Sequence, residues 1–570
     1  MNKPSISKFL NEGPALIGAY LEEQQNLTAV DRFSSAHDNM HTSMVSSPNS
    51  LNRYLDLLPL EKPKPGQQYG FEVNLDRCSG CKACVTACHN LNGLDEDETW
   101  RSVGLIHNVM GKPLQQTVTT ACQHCLEPAC SHGCPVKAYE KDPITGIVKH
   151  LDDQCIGCEY CILKCPYDVP QYHKGKGIVR KCDMCVGRLE VGEAPACVQA
   201  CPTKAIRINL VEQAEVRRNP GGYTSLPGAP DPGYTIPTTS YKTIRKFPDS
   251  MESADAYKVR KEKAHIPLVI MLTLSQMAAG FLIAVEIGSF IGILPKHPLF
   301  QVWSHVLGAS LMMLSIIVSI FHLGRPLYAF RAILGFRRSW LSREIVAFGI
   351  LGGLASITAI GSIMMAMHFP EGSLFKNILE LLTGKTIHAS LILMCLLAVH
   401  CSAMVYRDTP RALWATRLTS TKFFLTGTIT GLAGLLATLC FFDVFYLNLD
   451  VLPLKDLVLG VTLATTFTFL VKMATEARIL RHIDDQDLNP LKKTALLLRG
   501  DLKNFYAWRF NFGLMGGLVL PIFWIYRGYT GTDIFDFVMS LIVLATLIIG
   551  ELLERYLFFT TCVPPRMPGS

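Results

Sequence analysis

Charge is what this 570-residue chain has least of. Asp, Glu, Lys and Arg make up 18% of it, against roughly 25% in soluble domains, and the mean hydropathy is +0.24. A purely soluble enzyme is thereby excluded. Long uncharged runs are absent before Ala264, and cysteine is scarce outside one stretch: sixteen of the twenty lie between Cys78 and Cys201. They stand in metal-ligand groups rather than as a scattered even set, which excludes a disulfide-stapled secreted domain. The length allows two to four domains at roughly 100–200 residues each. The net charge of +7 is mild, so its distribution carries more information than its size.

The basic flank and small-residue cleavage site of a secretory leader are missing around the apolar run Ala15–Leu21, which is bordered by Glu12, Glu22 and Glu23. Neither a signal peptide nor a twin-arginine leader is expected. Residues 1–66 read as a polar N-terminal arm. Within it Leu16, Ile17, Tyr20 and Leu21 share one helical face, a second short helix covers Leu27–Phe33, and Ser43–Ser50 is a Ser-rich spacer. A mobile leader and a partner-docking arm fit this composition equally.

The cysteines form four groups: Cys78-x2-Cys81-x2-Cys84-x3-Cys88, Cys122-x2-Cys125-x4-Cys130-x3-Cys134, Cys155-x2-Cys158-x2-Cys161-x3-Cys165 and Cys182-x2-Cys185-x11-Cys197-x3-Cys201. A tight C-x2-C-x2-C loop presents three thiolates to one iron–sulfur cube, and the fourth cysteine leaves to ligate the other cluster of a pair. Proline follows Cys134, Cys165 and Cys201 and stops the chain there, whereas His89 follows Cys88. Taken alone, Cys182–Cys201 also fits a four-cysteine zinc site. Sixteen cysteines in four complete sets favour iron–sulfur clusters that carry electrons, with no iron left open for catalysis. If the swap holds within nested pairs, the ligand sets are Cys78, Cys81, Cys84 with Cys201; Cys182, Cys185, Cys197 with Cys88; Cys122, Cys125, Cys130 with Cys165; and Cys155, Cys158, Cys161 with Cys134. Strand-like stretches at Tyr69–Leu75 and Gly146–Leu151 suit ferredoxin-type hairpins.

Pro and Gly crowd residues 217–250, so residues 213–263 read as an extended linker with no packed core of its own. Eight apolar windows follow, at about 266–290, 301–322, 345–367, 387–406, 423–442, 457–477, 510–526 and 536–558. A bilayer crossing takes about 20 residues. The sixth window, with Lys472 and Glu476, and the eighth, with Glu551, are less clean. Lys and Arg on the N-terminal side of the spans outnumber those on the opposite side more than fourfold. The positive side is normally cytoplasmic. The fold class is thus an α+β ferredoxin-like four-cluster iron–sulfur domain (67–212) followed by an all-α eight-helix transmembrane bundle (264–562). The protein is expected to be multi-pass in the inner (plasma) membrane, with the iron–sulfur domain cytoplasmic.

Ionisable residues in or at the edge of spans are costly, so each is a functional hypothesis. His322 ends the second window and Glu344 opens the third, joined by the Arg-rich loop Leu323–Arg343. A quinol needs an acceptor for its hydroxyl and a route for two protons, which His and Glu can supply. An interfacial His and a helix-start Glu favoured by the dipole fit equally well. Glu286 and Glu551 are weaker candidates. His388 and His400 raise haem ligation, but paired axial histidines on facing helices are not evident, and no haem is expected. Cys395, Cys401, Cys440 and Cys562 have no ligand spacing.

With these residues in view, 69–210 resembles the four-cluster electron-transfer subunit of the dimethyl sulfoxide reductase family of molybdenum enzymes. Residues 264–562 resemble that family's quinol-oxidising membrane anchor. The anchor motifs are His322-Leu-Gly-Arg-Pro326, Leu341-Ser-Arg-Glu-Ile345 and Gly550-Glu-Leu-Leu-Glu-Arg555, with His265-Ile-Pro267, Gln276 and Gly280 matching its first span. The resemblance implies that His322 and Glu344 bind menaquinol, and Arg325 of the first motif is grouped with them. It also implies four 4Fe–4S clusters and a separate molybdopterin-containing catalytic subunit as partner, with the membrane quinone pool as donor. Two subunits usually separate are fused here, with an extra N-terminal arm.

The chain then reads as a non-catalytic electron-transfer and anchor subunit, with no nucleic-acid partner. It passes electrons from menaquinol to a partner that reduces dimethyl sulfoxide or a similar oxo-acceptor. Nitrate reduction, or the reverse flow from formate or a sulfur compound to quinone, uses the same parts. Because quinol site and clusters share one face, no net charge should cross the membrane. An ion-pumping module would instead require a chain of buried charges, and only Glu286 lies well inside a clean window.

Overall fold

The structure is a computed structural model that describes residues 56–59, 61–367, 384–446, 454–529 and 534–569. The helical faces expected at Leu16–Leu21 and Leu27–Phe33 lie outside the described residues.

The iron–sulfur domain is built on β1 (Gln67–Asn74), buried on both faces and held between two neighbours. It pairs antiparallel with β8 (Ile206–Glu212) and parallel with β9 (Ser240–Lys242). A second sheet joins β2 (Ser102–Asn108), β3 (Gln115–Thr120) and β10 (Met251–Ser253). Two short hairpins, β4 (Tyr139–Lys141) with β5 (Val148–His150) and β6 (Gln171–His173) with β7 (Ile178–Arg180), flank the cysteine loops. In those loops Gly80, Lys82, Gly157, Glu159, Met184 and Cys185 adopt positive φ. Left-handed turns at such spacing curl the backbone so that neighbouring thiols face one interior point. Short helices Ala129–Gly133 and Tyr160–Lys164 then end directly on Cys134 and Cys165.

Two boundaries differ from the sequence-based expectation. The linker is no bare spacer: β9 and β10 both come from it, and Val216, Thr238 and Met251 are buried. Its prolines set extended segments that add to sheet edges, where a missing N–H is tolerated. The arm also contributes, since Leu57 is buried and its carbonyl accepts from Ile208 N at 2.9 Å. At the other end, residues 563–569 return to this domain. Met567 is buried beside Val73, Ile106 and Cys122, and Arg566 bridges Glu262 and Asp168 at 3.0 and 3.3 Å.

Eight helices are long and apolar enough to cross a membrane: Ile266–Ile291, Pro298–Ile320, Trp340–Ala366, Lys385–Arg407, Arg417–Phe445, Lys455–Asp484, Lys503–Arg527 and Ile534–Thr560, here spans one to eight. Span one is central and packs on spans two, four, five and eight. In lipid, close backbone approach supplies the contact that hydrophobicity supplies in water. Span one meets span five through Gly280, where a Cβ would lie 1.9 Å from the Gly427 carbonyl oxygen.

The two halves dock through the loop between spans two and three. Arg325 N donates to Ile156 O at 3.0 Å, Gly335 N to Pro135 O at 2.7 Å, and Ser339 Oγ to Gly133 O at 2.7 Å. Tyr160 reaches from the iron–sulfur domain into the bundle and donates to Val405 O at 2.9 Å. Gly324 lies against Gly177 so closely that a Cβ would stand 2.1 Å from the Gly177 carbonyl oxygen. We therefore expect Gly324→Ala to part the halves locally. Reduction of the clusters from the membrane side should slow on the order of a hundredfold, as ångström-scale misplacement does, with reduction by dithionite unchanged. Stopped-flow spectroscopy of both reactions checks this, and equal slowing of both would contradict it.

Candidate functional site

At this junction a cavity of about 330 Å³ opens between the iron–sulfur domain and spans one to four. Cys158 and Tyr160 line it from one side, and Met271, Ser315, Phe348 and Tyr406 from the spans. His322 and Glu344 line it together. Its size falls in the range of small-molecule sites, with apolar walls and few polar groups.

The two polar groups have complementary states. His322 Nδ1 contacts the Ser319 carbonyl oxygen, which fixes the proton on Nδ1 and leaves Nε2 as an acceptor. Burial pushes its imidazole down to about 4, so it stays neutral at physiological pH. Glu344 is buried, and its Oε1 has no hydrogen-bond partner among the described residues. An orphaned buried carboxylate oxygen is costly unless a ligand completes it. Arg325 is not a lining residue. Its guanidinium donates to Asp152 O at 2.8 Å and Lys176 O at 3.3 Å, so it clamps the domain instead. Tyr160 and Tyr406 were not legible as lining residues, because nothing in their local sequence sets them apart.

None of the sixteen cysteines of the four groups is in a disulfide. Cys134, Cys155, Cys158 and Cys161 line one small cavity, and Cys122, Cys125, Cys130 and Cys165 line another. Cys88 lies within electrostatic range of Cys185 and Cys197, and Cys84 of Cys201. The neighbourhoods also link into a series. Cys134 acts on Cys130, Cys122 on Cys182, and Cys197 on Cys84. One end of this series lines the 330 Å³ cavity through Cys158, and at the other Cys81 is exposed.

Two buried cations stand among the sulfurs. Lys181 Nζ donates to Cys182 O at 2.9 Å, contacts Val148 O, and lies 3.8 Å from Cys122 Sγ. Arg101 stacks 4.7 Å over Phe71. Burial works against its charge, but the sulfurs of Cys197, Cys84, Cys182 and Cys88 outweigh it and raise the guanidinium pKa. Four-sulfur sets beside unneutralised cations fit anionic, thiolate-bound iron–sulfur cubes. Removing a charge at about 6 Å with an effective dielectric near 20 costs roughly 3 kcal/mol. Lys181→Met is thus expected to lower the potential of an adjacent cluster by roughly 100 mV, at about 59 mV per tenfold for one electron. Redox titration followed by electron paramagnetic resonance (EPR) measures this, and an upward or absent shift would contradict it.

Glu286 and Glu551 are elsewhere. Glu551 belongs to a buried knot across five spans. Arg509 donates to Glu476 at 2.9 and 3.1 Å and to Glu551 at 2.9 Å. Lys472 also contacts Glu551 and donates to Thr426 at 2.6 Å, while Arg555 donates to Gln276 at 2.7 Å and pairs with Glu554 at 2.9 Å. The sixth and eighth windows hold charges that neutralise one another only after folding, in one compact knot rather than a file. These are the windows that the sequence marked as less clean, whereas Glu286 stands in a clean one.

The comparisons agree with this organisation. A model described as "4Fe-4S dicluster domain" matches residues 115–211, and one described as "DMSO reductase anchor subunit (DmsC)" matches 261–561. The probable anaerobic dimethyl sulfoxide reductase chain YnfG of Escherichia coli K12 is 34% identical over 187 residues, 31% of this chain and 88% of that protein. An anaerobic dimethyl sulfoxide reductase subunit of Haemophilus influenzae is 35% identical over 188 residues, 31% of this chain and 89% of that protein. The formate dehydrogenase iron–sulfur subunit of H. influenzae is 33% identical over 162 residues, 25% of this chain and 52% of that one.

Cysteine-rich domain and apolar bundle together define an iron–sulfur electron-transfer protein fused to its own membrane anchor, integral to the membrane. The chain belongs to the dimethyl sulfoxide reductase anchor subunit (DmsC) family, and serves a complex of the dimethyl sulfoxide reductase family whose catalytic subunit is a separate partner.

Proposed function

We propose that menaquinol is oxidised in the cavity shared by His322, Glu344 and Cys158. The observation that carries this is that one cavity joins a neutral acceptor, an unsatisfied carboxylate and a cysteine of the third group. His322 Nε2 takes the proton of one quinol hydroxyl and Glu344 that of the other, so two protons leave the ring system with its two electrons. The four ligand sets, each of three cysteines from one group and the partner group's fourth, would hold 4Fe–4S clusters, which would supply one-electron carriers. Electrons enter at the set containing Cys158 and leave at the set containing the exposed Cys81, where a molybdopterin-containing subunit that reduces dimethyl sulfoxide or a similar oxo-acceptor docks. The Lys and Arg bias supports a cytoplasmic iron–sulfur domain. The domain limits follow: an arm ending near residue 55, an iron–sulfur unit that includes residues 213–263 and the C-terminal tail, and the bundle.

A second reading reverses the flow, from an oxidised donor such as formate to quinone. The likeness to a formate dehydrogenase iron–sulfur subunit favours it. The test is anaerobic: menaquinol added to membranes holding the complex should reduce the clusters. A redox-inert naphthoquinone analogue should block this and alter the EPR line shape of one cluster. Clusters that dithionite reduces and menaquinol does not would remove the proposal. Cluster potentials below that of menaquinone would favour the reverse flow.

A further inference from the structure

A second polar centre lies far from the cavity. Glu286 is twenty residues beyond the start of span one, about 30 Å along the helix at 1.5 Å per residue. It stands at the end of the bundle away from the iron–sulfur domain. His305 of span two and His388 of span four close on it. His305 Nε2 lies 3.0 Å from Glu286 Oε1, and His388 Nδ1 2.9 Å from Oε2. One ligand atom from each residue falls within 4.8 Å of the other two. Glu286 and His305 side chains are 3% exposed and His388 is 20% exposed, so access is from the His388 side.

The protons around His305 make this arrangement informative. Ser362 Oγ donates its one hydrogen to Thr358 O at 2.9 Å. In that rotamer it accepts from His305 Nδ1, 2.7 Å away, which places the proton of a neutral imidazole on Nδ1. With its proton on Nδ1, a neutral His305 turns the Nε2 lone pair toward a carboxylate oxygen 3.0 Å off. Two lone pairs at that distance repel unless a positive charge lies between them. Ser362 fixing the tautomer through the far nitrogen is the arrangement found behind metal-bound histidines.

We infer that Glu286, His305 and His388 form a binding site for one divalent ion of the zinc class, open on the His388 side. Two imidazoles and one carboxylate suit zinc and its borderline neighbours, whereas magnesium and calcium prefer all-oxygen shells. Tetrahedral bonds of about 2.0–2.1 Å place ligand atoms about 3.3 Å apart; His305 and His388 approach the two oxygens of Glu286 at 3.0 and 2.9 Å, and one ligand atom from each residue lies within 4.8 Å of the other two. The site draws on spans one, two and four, with Ser362 of span three behind it, and so ties the first four helices together. It is independent of the quinol reading: its ligands line no part of that cavity.

The test uses the purified complex with its clusters intact, washed with a chelator and titrated with Zn²⁺. One zinc per chain is expected, with zinc-edge X-ray absorption showing nitrogen and oxygen at about 2.0–2.1 Å and imidazole outer-shell scattering. Glu286→Gln and His305→Gln should abolish it. Ser362→Ala, which keeps all three ligands, should weaken zinc about tenfold or more. The absorption spectrum is read on the unaltered protein, so a variant that fails to assemble does not block the test. Sulfur at about 2.3 Å would place the zinc on cysteines and overturn the inference. So would zinc content unchanged in Glu286→Gln, or no zinc retained by the unaltered protein, which would leave a proton as the bridging charge.

Discussion

His322→Leu is expected to abolish reduction of the cluster chain by menaquinol, lowering the rate about 10²–10⁴-fold, the usual contribution of a positioned acid or base. Reduction by dithionite should stay as it is, because the cysteine series does not depend on this side chain. Leucine keeps the apolar volume but removes Nε2, the acceptor that the Nδ1 contact with Ser319 sets in place. Glu344→Gln should also lower the rate, since an amide cannot take up a proton, and should affect kcat more than KM because it retains shape and a hydrogen-bonding oxygen. The pH dependence separates His322 from an ordinary histidine. Its base form is neutral, and burial holds its pKa at about 4 rather than 6.5. Activity limited by this group is therefore present at pH 5–7 and is lost only as pH falls through about 4. An acid limb near pH 6.5 would show that another group, or a solvated histidine, controls the step. Anaerobic stopped-flow across pH, with dithionite controls, measures both.

The largest stability effect is expected at Arg509. It is fully buried and serves Glu476 and Glu551 together. Arg509→Met should destabilise the bundle by about 3–5 kcal/mol, because two carboxylates in a low-dielectric interior lose a counter-charge that they share. Lys472 remains, engaged with Glu551 and Thr426 and 3.6 Å from Glu476, but one cation then faces both carboxylates. The double variant Arg509→Met/Glu476→Gln restores the charge balance and should recover part of the loss. Thermal unfolding in detergent distinguishes the outcomes. Equal damage in the single and double variants would mean that packing, not charge, dominates this knot.

Much of this organisation is legible in the sequence. Cysteine spacing announces iron–sulfur loops because three thiolates can meet one cube only if the chain turns back within a few residues, a local requirement. Span number is equally local: backbone groups in lipid must be satisfied within one helix, so about 20 apolar residues identify each crossing. His322 and Glu344 were legible individually, since each breaks an otherwise apolar run. Arg325 was grouped with them by proximity in the chain, and the structure turns it toward Asp152 and Lys176 instead. For the linker, proline density reports backbone stiffness, not what the stiff segment lies against. Met251 pairs with Asn108, and Thr238 bonds to Gln68 and Gln123, all more than 100 residues earlier.

Local chemistry, then, was determined by the sequence alone: which residues carry thiolates, which segments leave water, and where a proton acceptor interrupts an apolar run. Tertiary structure decided the rest. It chose which charges meet, pairing Arg509 with Glu476 and Glu551, and Glu286 with His305 and His388. It also placed Cys158 beside His322 and Glu344. The physical reason is that a buried charge is tolerated only with a partner, and which helix supplies that partner depends on packing across the bundle, which no local spacing encodes.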